Sequence, residues 1–143
     1  MDPDKQRDTI LIVDDNPDIC ALARAFLESA GYNVLTAADG EEGLRVFERH
    51  QSSIGLLLTD VTMPKMNGFA LADRVFEIDS QLSVLFMSGD AQNFRRGLGC
   101  VAKPFDRDEL LSWVSRAVSA PGKHGEKAAR AASGRRSAIT QNS

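Results

Sequence analysis

Short apolar segments alternate with amphipathic helical patterns along most of this chain, and this alternation limits the folds that it can adopt. The apolar segments have the length of buried strands and are too short for helices: residues 9–13, 33–36, 54–59, 82–87 and 100–102. Strands that alternate with helices pair in parallel and place the helices on both faces of the sheet. The sequence therefore predicts an α/β fold, a doubly wound five-stranded parallel sheet.

Capping residues mark where the helices begin. Asn16 followed by Pro17 is a good start for the first helix, and Asn67 begins the third. Two further starts carry a capping box, an acid followed three residues later by Glu: Asp39 with Glu42, and Asp106 with Glu109. Residues 91–98, between the fourth and fifth strands, are too few and too polar for more than a turn or two of helix. We therefore expect a helix there to be short or absent.

Polar residues follow four of the five predicted strands. Asp14 and Asp15 end the first strand, Asp60 the third, Ser88 the fourth, and Lys103 follows the fifth. The carboxyl ends of parallel strands share one edge of the sheet, where open α/β folds place their ligands. We therefore expect these side chains to converge, although each acid taken alone also fits a residue that simply ends a strand.

Three neighbouring carboxylates repel one another, and a divalent cation would relieve that repulsion. A set of ligands that contains only oxygen favours Mg²⁺ over zinc. A lysine and a small hydroxyl beside these acids complete the groups needed to hold a phosphoryl group. The chain has no glycine-rich phosphate loop, so we do not expect a bound nucleotide.

The composition excludes several other classes of protein. With 143 residues the chain has room for one domain, and it has neither an apolar run of membrane-spanning length nor a signal peptide, so we expect it in the cytoplasm. Cys20, Cys100, His50 and His124 are isolated, which argues against a zinc site and fits a reducing compartment. Residues 119–143 carry five basic side chains against one acidic one, and the acidic remainder does not favour binding to nucleic acid.

Several motifs together resemble the receiver domain of bacterial two-component response regulators, such as the chemotaxis regulators. They are Asp14-Asp15, Asp60 with Met63-Pro64 and Asn67-Gly68, Ser88, and Lys103-Pro104-Phe105. The resemblance covers residues 9–118, which leaves an N-terminal tail at 1–8 and a basic tail, expected to be disordered, at 119–143. It implies a flavodoxin-like sheet with the strand order 2-1-3-4-5.

The resemblance also implies a role for each matching residue. Asp60 would accept a phosphoryl group from a histidine kinase or a histidine phosphotransfer protein. The implied Mg²⁺ ligands are Asp15, Asp60 and the backbone oxygen of Thr62 directly, and Asp14 through water. Lys103 would pair with Asp60 and, together with Ser88, would bind phosphoryl oxygens.

Three further positions have implied roles in conformation or in rate. The Lys103–Pro104 peptide bond would be cis and would hold the lysine in place. Ser88 belongs to the implied switch region, because it would move when the phosphoryl group arrives. Thr62 and Asp90 occupy loop positions that tune how fast that group is hydrolysed.

Two adjoining features depart from the family pattern. Cys100 stands where receivers commonly carry the Tyr or Phe of the switch region, so the usual aromatic–hydroxyl coupling cannot operate. The connection between Ser88 and Lys103 is also shorter than usual by about two helical turns. One hypothesis is that residues 89–99 become ordered on phosphorylation. The alternative is a permanently short and rigid connection.

The sequence leaves two functions open. The first is a phosphorylation-dependent switch that is not an enzyme and signals by binding another, unknown protein, either alone or as part of a hybrid kinase. The second is a constitutive pseudo-receiver that is never phosphorylated. A haloacid-dehalogenase-type phosphatase is disfavoured, because Asp60-Val61-Thr62 lacks the Asp-x-Asp pattern. We expect no DNA-binding domain, no membrane association, and a monomer or weak dimer.

Overall fold

The computed structural model describes residues 8–90 and 99–119. The predicted tails, at 1–8 and 119–143, and the connection at 89–99 therefore lie largely outside the described residues. The elements follow in this order: β1 (Thr9–Val13), α1 (Pro17–Ser29), β2 (Asn33–Ala37), α2 (Gly40–His50), β3 (Ile54–Asp60), α3 (Gly68–Ile78), β4 (Ser83–Ser88), β5 (Cys100–Ala102) and α4 (Arg107–Ser119).

All five strands are parallel and lie in the order β2-β1-β3-β4-β5. This confirms the predicted fold class and strand order. Four helices lie in the described part of the chain, and α4 is the helix that follows β5. Residues 89–99 are the whole connection between β4 and β5, which fits the prediction of a short helix region there.

Two apolar clusters cover the two faces of the sheet. Leu11 and Val13 of β1 pack with residues of α2 and α3 on one face, and Ile10 and Ile12 pack with residues of α1 and α4 on the other. Alternate residues of a strand point to opposite faces, so a strand buried on both faces is apolar throughout. All five residues of β1 are buried, as this arrangement requires.

The predicted caps are present at the helix starts. The Asn16 side chain accepts a hydrogen bond from the Asp18 amide, and Asn67 does the same for Ala70. At α2, the Asp39 carboxylate accepts from the Glu42 amide at 2.8 Å, and at α4 Asp106 and Glu109 form a similar box. These bonds satisfy amide groups that have no partner within the helix.

The register of the strands brings their carboxyl ends to one level. Val13 pairs with Thr59, Asp60 with Met87, and Ser88 with Ala102. The residues that follow β1 and β5 therefore lie near the ends of β3 and β4. Among the described helices, none combines the length and the apolar character needed to cross a membrane.

Candidate functional site

Three carboxylates meet at the carboxyl edge of the sheet. Asp14 and Asp15 follow β1 and Asp60 ends β3, and one oxygen atom from each lies within 4.8 Å of the others. Asp14 is 1% exposed and Asp60 is 7% exposed, whereas Asp15 lies in solvent. The cluster therefore contains two buried acids and one that solvent can reach.

Lys103 links the two buried acids. Its Nζ atom lies 2.7 Å from Asp14 Oδ2 and 3.2 Å from Asp60 Oδ1. The shorter contact is with Asp14, a pair that the sequence did not suggest. The Lys103–Pro104 peptide bond is cis. One ammonium group thus faces two carboxylates that come from different strands.

Burial and crowding change how these groups ionise. Burial and the nearby Asp14 charge raise the pKa of Asp60, and the charge and hydrogen bond of Lys103 oppose that rise only in part. Burial acts to lower the pKa of Lys103, but the hydrogen bonds and charges of Asp14 and Asp60 outweigh it, so the pKa is raised. The lysine therefore stays charged, and the cluster keeps an excess of negative charge.

Backbone amides hold the acids in place. The Asn16 amide donates to Asp14 Oδ1 at 2.9 Å, and the Thr62 amide hydrogen-bonds to Asp60. In the loop that follows Asp60, the Gly68 amide donates to the Val61 carbonyl at 2.9 Å. A Cβ atom at Gly68 would overlap the carbonyl oxygen of Asp60. Only glycine allows α3 to begin this close to the end of β3.

Ser88 lies beside the lysine segment through the backbone. The Lys103 amide donates to the Ser88 carbonyl at 2.9 Å, and the Asp90 amide donates to Ser88 Oγ at 2.9 Å. The hydroxyl therefore accepts one bond and still has its own proton to donate. Cys100 is buried in the apolar cluster on the α2–α3 side.

The structure thus brings four of the predicted residues into one charged cluster: Asp14, Asp15, Asp60 and Lys103. Ser88 joins this cluster by a backbone hydrogen bond, and the Thr62 amide reaches Asp60, while Cys100 belongs to the core. Sequence reasoning missed Gly68 as the contact with Asp60, although the Asn67-Gly68 pair was visible as a turn. It also missed Cys20, whose Sγ atom lies 3.4 Å from the Asp14 carbonyl oxygen.

The donor set fits Mg²⁺. Carboxylate oxygens are the ligands that this ion prefers, and a magnesium site keeps several waters and uses one or two carboxylates. Asp15 is open to solvent, and the contact of Asp60 with Lys103 is made at Oδ1. The charge of the ion would offset the negative excess of the cluster.

Comparisons with known proteins point to one family. A family model of the response regulator receiver domain matches residues 10–115. The response regulator receiver protein CpdR of Brucella abortus is 33% identical over 119 residues, which cover 78% of this chain and 97% of CpdR. The receiver domain of the hybrid histidine kinase CckA superposes with a TM-score of 0.69 at 34% identity, covering 77% of this chain and 98% of that domain.

Some relatives are much longer than the match. The autoinducer 1 sensor kinase/phosphatase LuxN of Vibrio harveyi is 38% identical over 86 residues, which are 60% of this chain and 10% of LuxN. The chain spans from about a tenth to half of the length of the first curated relatives that it matches. CpdR, in contrast, is matched almost from end to end. The predicted resemblance is confirmed: this chain belongs to the response regulator receiver domain family.

Proposed function

We propose that this receiver domain is a signalling switch in which Asp60 accepts a phosphoryl group. The observation that carries the proposal is the position of Asp60, at the end of a buried strand, 3.2 Å from the Lys103 ammonium and beside two further carboxylates. Receiver domains take phosphoryl groups from histidine kinases or phosphotransfer proteins, and they act as signalling modules in two-component systems.

In the proposed step, an Asp60 carboxylate oxygen attacks the phosphorus atom of a phosphohistidine. The new O–P bond forms as the N–P bond breaks, and the imidazole nitrogen leaves with the electron pair and takes a proton. Lys103 would move from the Asp60 oxygen to a phosphoryl oxygen, and Ser88 Oγ would donate to another. Both groups stabilise charge on the phosphoryl oxygens, which is the main demand of this reaction.

Mg²⁺ would be held by Asp15, by Asp60 and by the Thr62 carbonyl, with Asp14 reaching it through water. When bound, the ion supplies positive charge that draws the Asp60 carboxylate and the phosphoryl oxygens together. The burial of Asp14 behind the lysine contact supports its indirect role, since its Oδ2 already faces an ammonium at 2.7 Å.

The test is the intact mass of the full chain after incubation with acetyl phosphate and Mg²⁺. We expect one phosphate adduct on the native chain, which is absent from Asp60→Asn and is lost when Mg²⁺ is chelated. Asp108→Asn is the matched control, because that side chain is 95% exposed on α4, and it should retain the adduct. An adduct that persists in Asp60→Asn would contradict the assignment of the acceptor.

The second candidate is a constitutive pseudo-receiver, and the buried Cys100 in place of an aromatic residue favours it. Mg²⁺ binding without any adduct on the native chain would support this alternative. In both cases we propose that the chain acts by binding another protein. We further propose that it is located in the cytoplasm and is a monomer or a weak dimer. Sedimentation of the native and phosphorylated chains tests the predicted oligomeric state.

A further inference from the structure

A cavity of about 490 Å³ opens beside the acidic cluster, between α1 and the end of β2. Cavities of this size hold small molecules in many proteins. Four α1 residues line it at the spacing i, i+3, i+4 and i+7, which places them on one helix face: Pro17, Cys20, Ala21 and Arg24. The opposite wall is formed by residues 36–38 and by Glu42.

Small side chains create this space. Among the residues that line it, Ala21 on α1 and Ala38 just after β2 carry only methyl side chains, which are too short to fill the space between the two walls. The face of α1 that lines the cavity runs from Pro17 to Arg24. These residues are seven positions, or about 10 Å, apart along the helix axis. The cavity therefore has the length of a short aliphatic chain.

The residues that line the cavity carry more negative charge than positive charge. Asp14, Asp15 and Glu42 contribute carboxylates, and Arg24 is the cation among the described residues that line it. Lys103 neutralises Asp14, whereas Arg24 pairs with Glu28 at 3.1 Å. Asp15 and Glu42 thus leave negative charge at the cluster end, and a ligand with a positive head and an apolar body would complement it.

We propose that this cavity binds a small aliphatic amine. The ammonium group lies toward Asp15, and the hydrocarbon chain lies between Ala21 and Ala38. The amine would gain apolar contact along the small side chains and charge pairing at its head. A neutral alcohol of the same length would make only the first kind of contact, and a fatty acid would meet repulsion.

Amine and Mg²⁺ would then oppose each other, because both would place positive charge at Asp15. This coupling rests on the proposed function, since it requires the metal at that carboxylate. It would make the amine an inhibitor of the magnesium-dependent reaction at Asp60. Binding of the amine when no metal is present does not depend on that function.

The test uses n-hexylamine, 1-hexanol and hexanoate with the ¹⁵N-labelled full chain in EDTA, followed by amide chemical shifts. We expect saturable shifts at Ala21, Ala37 and Ala38 with hexylamine, binding of hexanol that is weaker by roughly five-fold, and no saturable shifts with hexanoate. Equal affinity for the amine and the alcohol, or shifts confined to the aspartates, would overturn the proposal.

Variants separate the cavity from simple attraction to the acids. Ala21→Leu should abolish hexylamine binding because leucine fills the space, and leucine is a good helix former, so the helix persists. Ala25→Leu is the matched control, since Ala25 is exposed on the same helix but does not line the cavity. Binding that is unchanged in Ala21→Leu would refute the proposal.

A final titration tests the coupling. Saturating Mg²⁺ should weaken hexylamine binding, and hexylamine should weaken Mg²⁺ binding by the same factor. Binding of both without mutual effect would contradict the coupling alone. A chain that binds the amine but neither Mg²⁺ nor phosphate would contradict the proposed function and leave the cavity site intact.

Discussion

Replacing Asp60 by asparagine should stabilise the folded chain when divalent cations are absent. The substitution keeps the size of the side chain and removes one charge from a crowded cluster. Asp60 has a raised pKa because burial and the Asp14 charge together outweigh the help from Lys103. The ionised carboxylate is therefore less favourable in the folded chain than in the unfolded chain, and its removal should raise the free energy of unfolding.

The magnitude follows from the distances. At an effective dielectric constant of about 20, Lys103 at 3.2 Å favours the Asp60 charge by about 5 kcal/mol. Asp14, within 4.8 Å, opposes that charge by about 3.5 kcal/mol or more. Removing the carboxylate from water costs several kcal/mol in addition. The balance opposes the charge, and we expect Asp60→Asn to be more stable than the native chain at pH 7 by about 1 kcal/mol or more, as the replacement of buried charged groups often is.

The pH dependence has a definite sign. A raised pKa in the folded chain means that protonated Asp60 contributes stability below the unfolded pKa, near pH 4, and that this contribution is lost as the pH rises through the folded pKa. Asparagine does not titrate. The advantage of the variant should therefore be small near pH 4 and grow toward neutral pH.

Urea unfolding in EDTA, followed by the fluorescence of the single tryptophan, Trp113, measures these differences. Asp108→Asn controls for the general loss of a negative charge and should change stability by less than about 0.5 kcal/mol. An Asp60→Asn variant that is less stable than the native chain at pH 7, or whose advantage does not grow with pH, would contradict this prediction. Added Mg²⁺ should reverse the order, because it stabilises only the chain that binds it.

Three other predictions concern the same site. Lys103→Met should cost roughly 3 kcal/mol in EDTA, since it leaves a fully buried carboxylate without its ammonium partner; urea unfolding measures the loss, and a neutral effect would contradict it. Gly68→Ala should destabilise by about 2 kcal/mol or more because of the overlap with the Asp60 carbonyl, whereas Gly89→Ala, whose Cβ would meet no atom of the described residues within 4 Å, should be close to neutral in thermal unfolding. Cys20 should react slowly with iodoacetamide at neutral pH, since burial and the Asp14 charge raise its pKa; a rate like that of a free thiol would contradict this.

The sequence predicted the sheet well because its signals are local. The strands at 9–13 and 100–102 have the predicted bounds, and the predicted caps, such as Asn16, precede helices in the structure. The third strand extends one residue further than expected, and the fourth is displaced by one. Hydrogen bonds to the neighbouring strand decide whether a residue at the end belongs to a strand. The apolar pattern of a single segment does not show those bonds.

The contacts of the site were harder to predict. Two acids in succession follow β1, and the sequence does not tell which of them turns inward; the structure buries Asp14 and leaves Asp15 in solvent. Because Asp14 is the acid that turns inward, Lys103 contacts Asp14 in addition to Asp60. The cavity lies between α1 and the end of β2, so it depends on how the two elements are placed in the fold. No periodicity in the sequence reports such a distance.

The position of Lys103 just after β5 has a consequence for local opening. This strand has three residues and a single neighbour, β4, at the edge of the sheet. Short edge strands exchange their amide hydrogens by opening that leaves the rest of the fold intact. The ion pairs of Lys103 with Asp14, which follows β1, and with Asp60 on β3 therefore attach this edge strand to the centre of the sheet. A cation that draws Asp60 away from the lysine would weaken that attachment. The binding of a cation at the carboxylates would then speed the exchange of amide hydrogens in β5.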